Sequence, residues 1–186
     1  NNRIIGNVLT GSTYAISLND GGGSRIADNN IANNTIGIDI EYNGWYNQII
    51  NNSVAHNGRG MLFDYACNYN IISGNNISKN GGGISFDDYS SGNTVVRNNF
   101  ENNTNYGVYV YPTTANNIIE NKMTNNKYAI WFVGSADNFI THNSFINNGI
   151  IFWNYPSTRN FWESGYPGGG NYWSRYSGTD VYSGIK

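Results

Sequence analysis

Apolar residues recur along this chain every 22 or 23 positions. When Asn2, Ser24, Asn47, Asn70, Asn93, Asn116, Asn138 and Asn160 open successive units, the residue two places on is Ile4, Ile26, Ile49, Ile72, Val95, Ile118 and Ile140. Seven places on stand Leu9, Ile31, Val54, Ile77, Phe100, Met123 and Phe145. With one residue inserted in the fifth unit and two deleted in the seventh, a third column reads Ile16, Ile38, Met61, Ile84, Val108, Ile130 and Ile150. The fourth reads Leu18, Ile40, Phe63, Phe86, Val110, Phe132 and Phe152. The last two columns lie two residues apart and therefore share one face of a strand. Each unit predicts two or three short strands, too short to bury their own apolar side. Stacking the units at about 4.8 Å per coil pairs their backbones and encloses a continuous aliphatic column. The expected fold is an all-β solenoid, a parallel β-helix of about seven coils over residues 1–160, closed by a capping segment of the same domain over 161–186.

The polar columns support the same architecture. Asn7, Asn29, Asn52, Asn75, Asn98, Asn121 and Asn143 form one file; Ser12, Asn34, Asn57, Asn80, Asn103, Asn126 and Asn148 form another. Asparagine tolerates the left-handed conformation at a corner, and stacked amides bond from coil to coil. Small residues, Ala15, Gly37, Gly60, Gly83, Gly107, Ala129 and Gly149, precede the third apolar column, where the corner is crowded. Asparagine supplies 36 of the 186 residues and glycine 23, whereas only 12% are charged. That composition opposes helix. A net charge of −2 without a basic block excludes phosphate-neutralising nucleic-acid binding. No apolar run is long enough to span a bilayer, and no signal segment opens the chain. Cys67 is an isolated thiol, and two histidines give no zinc spacing.

The pattern N-x-[IV]-x-x-N-x-[apolar]-x-x-N-x-x-G-[apolar]-x-[apolar] resembles the right-handed parallel β-helix repeat of the carbohydrate-binding and sugar-hydrolase superfamily. Within it the chain is similar to the NosD-like branch, common in archaeal surface proteins. The segment Gly170-Asn171-Tyr172-Trp173-Ser174-Arg175-Tyr176-Ser177-Gly178-Thr179-Asp180 looks like the one that often ends such helices. The resemblance implies a right-handed helix and an extracellular or cell-surface location, periplasmic in a bacterium. NosD itself is associated with copper delivery to nitrous oxide reductase. Soft-metal sites want several Cys, Met or His ligands, whereas here Met61 and Met123 fall in core columns and His56 and His142 on different turns.

A solenoid must cover its strand edges. Phe161, Trp162, Tyr166, Tyr172, Trp173, Tyr176 and Tyr182, around Pro167, read as an aromatic cap. Asn1 and Asn2 start directly on a repeat, so the expected context is a larger surface protein whose earlier coils or neighbouring domains cover that end.

Chemistry is left to the outward positions. After the fourth apolar column come Asn19, Glu41, Asp64, Asp87, Tyr111, Val133 and Trp153, with Asp39 and Asp88 nearby. Three carboxylates on adjacent coils, about 5 Å apart, raise one another's pKa or recruit a cation unless they splay into water. Glu41, Asp64 and Asp87 thus admit three readings: a solvated acidic stripe, a calcium site, or the acid pair of a glycosidase. Ser85, Tyr109 and Trp131 occupy equivalent outward positions, and Tyr42, Trp45, Tyr46, Tyr65, Tyr69 and Tyr89 lie in the following turn. Exposed rings beside acids and amides suit a sugar, whose flat apolar face stacks while polar groups set its orientation. The same rings would equally shield the loop stacks from water.

The polygalacturonase signatures Asn-Thr-Asp, Gly-His-Gly and Arg-Ile-Lys are absent, as is the Tyr-Gly-[apolar]-Asp-Pro-His motif of alginate epimerases. An arginine base of the pectate-lyase kind needs an arginine beside the acids, and Arg59 and Arg97 are expected at other corners. Sequons at Asn33, Asn51, Asn76 and Asn102 suit an exported protein. The favoured reading is an extracellular β-helix module that binds glycan through Asp39, Glu41, Asp64, Asp87, Tyr109, Tyr111 and Trp131 or serves as a rigid spacer among neighbouring domains. Its rivals are a polysaccharide lyase or hydrolase using Asp64, Asp87 and Glu41, and a NosD-type copper-protein maturation factor.

Overall fold

The computed structural model describes residues 1–156, 159–165 and 168–175. The expected cap residues Tyr166, Pro167, Tyr176 and Tyr182, and the end of the terminal motif beyond Arg175, lie outside the described residues. The fold is a parallel β-solenoid of about seven turns with three sheets. Each turn contributes two three-residue strands and one strand of five or six residues, as in Gln48–Ile50, Ser53–Ala55 and Arg59–Asp64. The long strands, Tyr14–Asn19, Ile36–Glu41, Arg59–Asp64, Gly82–Phe86, Tyr106–Val110, Tyr128–Val133 and Ile150–Tyr155, pair side by side into the third sheet.

Repeat register and backbone register agree for six coils. Ile26 pairs with Ile49, Ile49 with Ile72, Ile72 with Val95 and Val95 with Ile118, all fully buried in one interior file. In the seventh coil they part. Ile150 pairs with Tyr128 and Phe152 with Ile130, so the expected two-residue deletion does not exist before the strand. The same shift places Trp153 beside Trp131 rather than beside Val133. Hydrophobic type alone could not settle this register, because a two-residue slip preserves the alternation of faces. Ile150 and Phe152 are partly exposed, whereas Ile130 and Phe132 are fully buried.

The corners are held by amide files. The side-chain oxygen of Asn75 accepts from the Asn52 backbone N–H at 2.8 Å and from Asn52 Nδ2 at 3.0 Å. Asn75 Nδ2 in turn reaches Asn98 Oδ1 at 2.9 Å and the Ile49 carbonyl of the preceding coil at 2.9 Å. The asparagine files that include Asn47, Asn75 and Asn80 repeat this arrangement down the rod. A fourth buried polar file, Cys67, Ser90, Thr113 and Ser135, has no single residue type to mark it in the sequence. Its members bond similarly, the Cys67 N–H to Ser90 Oγ at 3.1 Å and the Thr113 N–H to Ser135 Oγ at 3.2 Å. At the glycine corner, a Cβ on Gly83 would lie 2.1 Å from the Gly107 carbonyl oxygen, which explains the small-residue column.

The described part of the tail closes the rod with mimicry. Asn160 accepts from Asn138 Nδ2 at 2.9 Å, and Asn171 takes the next place in the second file, accepting from Asn143 Nδ2 at 3.0 Å. Trp173 stacks on Phe145 with centroids 4.6 Å apart, Phe161 stacks on Phe139, and Trp162 packs against Phe132 and Phe152.

Replacing a ladder amide strands several buried backbone groups at once. Asn75→Ala is expected to lower stability by about 2–4 kcal/mol, whereas Asn30→Ala, at an exposed strand position, changes it by less than about 0.5 kcal/mol. Urea denaturation of both variants checks the contrast.

Candidate functional site

The outer face of the third sheet carries three parallel rows of side chains. The middle row runs Ser17, Asp39, Leu62, Ser85, Tyr109, Trp131 and Trp153, each paired in register with the next. One flanking row runs Asn19, Glu41 and Asp64 and continues through Asp87, whose N–H donates to the Phe63 carbonyl, to Tyr111, whose N–H donates to the Phe86 carbonyl. The other flank runs Tyr14, Ile36, Arg59, Gly82, Tyr106 and Tyr128. Coils two to four therefore present acids, and coils five to seven present aromatic rings.

All the acids expected on this face are brought to it. Asp39 is only 2% exposed although it sits on the outer row. Burial, with Glu41 and Asp64 nearby, pushes its carboxyl up to about 6 despite a hydrogen bond with Ser17. Burial likewise raises Asp87 to about 6, opposed by Arg59. Asp64 is also raised by burial, against the Tyr65 N–H that donates to its Oδ1 at 2.9 Å. Two carboxylate oxygens, Asp39 Oδ1 and Asp87 Oδ1, are buried without a hydrogen-bond partner, and so are Ser85 Oγ and Trp131 Nε1. Unpaired buried polar atoms cost free energy and are rare outside functional or strained sites.

Arg59 departs from its expected place. Its guanidinium reaches across the face to 3.8 Å from Asp87 Oδ2, so one cation does stand beside the acids. The strand position alone concealed this, because the reach of a long side chain sets where its charge lies. Arg97 behaves as expected, pairing with Glu120 at 2.6 Å on another corner.

The rings form a continuous surface. Tyr109 meets Trp131 edge-on at 5.2 Å and Tyr106 at 5.4 Å, and Tyr128 packs against Trp131 at 5.1 Å. Beside the acids, Tyr42 stacks on Tyr65 at 4.8 Å and Tyr46 on Tyr69 at 5.5 Å. These four tyrosines and Tyr89 all hold positive φ, between 50° and 66°. Bulky residues bear that conformation at a cost, and such outliers gather at functional surfaces. All five are exposed. Two shallow depressions lie elsewhere, over the asparagine corners around Asn103 and Asn34.

Among the described residues the soft donors do not gather as a copper site would need. Cys67 is fully buried, donates to the Ile40 and Asp64 carbonyls, and is pushed by burial up to about 11. Met61 and Met123 are fully buried core residues. His56 and His142 hold left-handed corners, and His142 Nε2 lies 2.6 Å from the Gly168 carbonyl oxygen. Among the described residues no three His, Cys, Asp or Glu side chains group so as to hold a metal ion, Glu41, Asp64 and Asp87 included.

The raised carboxyls tie stability to pH. In the folded state Asp39 and Asp87 hold their protons to about 6, above the ordinary 3.8, so the folded chain binds more protons than the unfolded one between those values. Stability should be greatest near the lower value and fall as pH rises through the window. Asp39→Asn is expected to raise Tm by about 2–4 °C at neutral pH and to leave it unchanged at pH about 4. Calorimetric scans across the range test this; a profile that rises with pH would contradict it.

The periplasmic alginate epimerase AlgG superposes with a TM-score of 0.72 at 19% identity, over 86% of this chain and 43% of that one. A single-site variant of AlgG gives a TM-score of 0.78 at 19% identity, over 86% and 44%. DFA-IIIase from Arthrobacter chlorophenolicus A6, in complex with GF2, gives 0.57 at 14% identity, over 80% and 50%. This chain therefore spans less than half the length of the AlgG chains, and at such identities the likeness shows the β-helix fold alone. No curated protein sequence matches the chain. The family model described as periplasmic copper-binding protein (NosD) matches residues 1–178, and the chain belongs to that family.

Proposed function

We propose that this chain is a glycan-binding β-helix module that works outside the cytoplasm, with the outer face of its third sheet as the binding surface. The observation that carries the reading is the unbroken run of Tyr109, Trp131 and Trp153 that continues, on the same middle row, from Ser85, with Asp87 on the flanking row beside it and Asp39 further along. Rings offer flat apolar faces to a sugar, and buried acceptors beside them fix its hydroxyls. A face whose rows run from coil to coil along the rod suits a polymer better than a small molecule needing enclosure. The periplasmic description of the family and the periplasmic setting of AlgG support the location. The rigid, amide-laddered rod would also hold neighbouring domains at a fixed separation.

A second reading, polysaccharide cleavage, rests on a specific observation: Arg59 stands 3.8 Å from an acid whose carboxyl is raised to about 6. A carboxyl raised toward neutrality is suited to general-acid work. Copper maturation finds no matching donor set among the described residues.

Glycan arrays probed with the purified chain are expected to give a defined set of binders, each weakened at least about tenfold by Trp131→Ala or Tyr109→Ala. Blank arrays would remove the reading. For the second, Asp87→Asn should abolish release of reducing ends or unsaturated products from polysaccharides. No product from the unaltered chain, on neutral and uronate polymers alike, would end it.

A further inference from the structure

The acidic half of the outer face is rich in acceptors and poor in donors. Asp39 and Ser85, both more than nine-tenths buried on the middle row, each keep an oxygen without a partner, as does Asp87. Glu41 and Asp64 flank them, and Arg59 is the cation that reaches this half, stopping 3.8 Å from Asp87. Ser85 is uncharged, so its orphaned hydroxyl calls for a bonding partner independently of the acids. The acceptors are also spread along the rod over three successive coils rather than gathered on one point, which matches the absence of a metal-holding group among the described residues. A ligand complementary to such a strip brings several N–H donors and several positive charges in a line. A uronate polymer carries the same negative charge as these acids, and this face would repel it.

Resting on the glycan-binding reading, we infer that the strip selects a polymer bearing primary ammonium groups, an amino-sugar glycan, whose ammoniums sit over Asp39, Glu41, Asp64 and Asp87 while its rings stack on Tyr109, Trp131 and Trp153. Each ammonium offers three donors and no acceptor, and charge-assisted bonds to buried carboxylates are the stronger kind. Arg59 holds part of this place in the free protein and yields it to the ligand. The stacked turn tyrosines Tyr42 and Tyr65 border the strip, where cationic groups gain further from ring faces.

The test is isothermal titration of the full chain, near neutral pH and low salt, with three hexasaccharides: fully deacetylated glucosamine, its fully N-acetylated counterpart, and mannuronate. The glucosamine hexamer is expected to bind at least about tenfold more tightly than the N-acetylated one, with the advantage shrinking as salt screens the charges. Asp39→Asn and Glu41→Gln should each weaken the glucosamine hexamer several-fold more than the N-acetylated one, and so reduce that advantage. Glu41 is partly exposed, so its variant keeps the fold even if Asp39→Asn perturbs it. Arg59→Gln should tighten glucosamine binding several-fold. Equal affinity for all three, still lost in Trp131→Ala, would overturn the charge preference and leave the glycan platform standing. Tighter mannuronate binding would also overturn it. No binding of any hexamer would overturn both.

Discussion

Everything in this rod depends on the demand that each buried corner satisfy its backbone donors and acceptors through the coils above and below it. Asparagine meets that demand at a corner because one short side chain carries both an acceptor and two donors, and it tolerates tight turns. Asn75 bonds forward to Asn98 and backward to Ile49, so it ties three coils together. Repetition of that tie confines the period to 22 or 23 residues and forces the apolar side chains into continuous interior files. The tail obeys the same demand: Asn160 and Asn171 take the next ladder places.

Because corners and interior are so constrained, variation is confined to the outer rows. The third sheet, with the longest strands, offers the broadest such face. There the identities change from Ser17 and Asp39 through Ser85 to Tyr109 and Trp131 without disturbing the pairing beneath. Acids cost stability when buried next to one another, and the raised carboxyls of Asp39 and Asp87 express that cost. Stability alone would favour neutral residues at both positions. The same face carries tyrosines in left-handed turns, a second local cost in the same place.

Membership of the NosD family and the donor chemistry of this chain point in different directions. Copper prefers thiolate, thioether and imidazole ligands. Here the thiol and both thioethers are sealed inside the rod, and the imidazoles occupy separate corners. The carboxylates instead stand on the outer face of the third sheet, Asp39 buried there and Glu41, Asp64 and Asp87 half-buried, spread over three adjacent coils.

The period, the interior files, the asparagine ladders and the acid row were all legible in the chain by itself, because each depends only on spacing and residue type, which a one-dimensional repeat preserves. Ile26 through Val95 stand in the file that their spacing requires. Other features needed three dimensions. The seventh coil keeps the 22-residue step, Ile130 to Phe152 and Trp131 to Trp153, and only strand pairing decides that register, because a shift of two leaves the alternation of apolar positions intact. Arg59 meets Asp87 because a flexible side chain spans two coils, and Asn171 enters a ladder 28 residues from Asn143, outside the period. Burial of Asp39 on an outer row comes from neighbours closing over it. Spacing determines which face a residue takes; lateral packing between coils decides what that residue touches there.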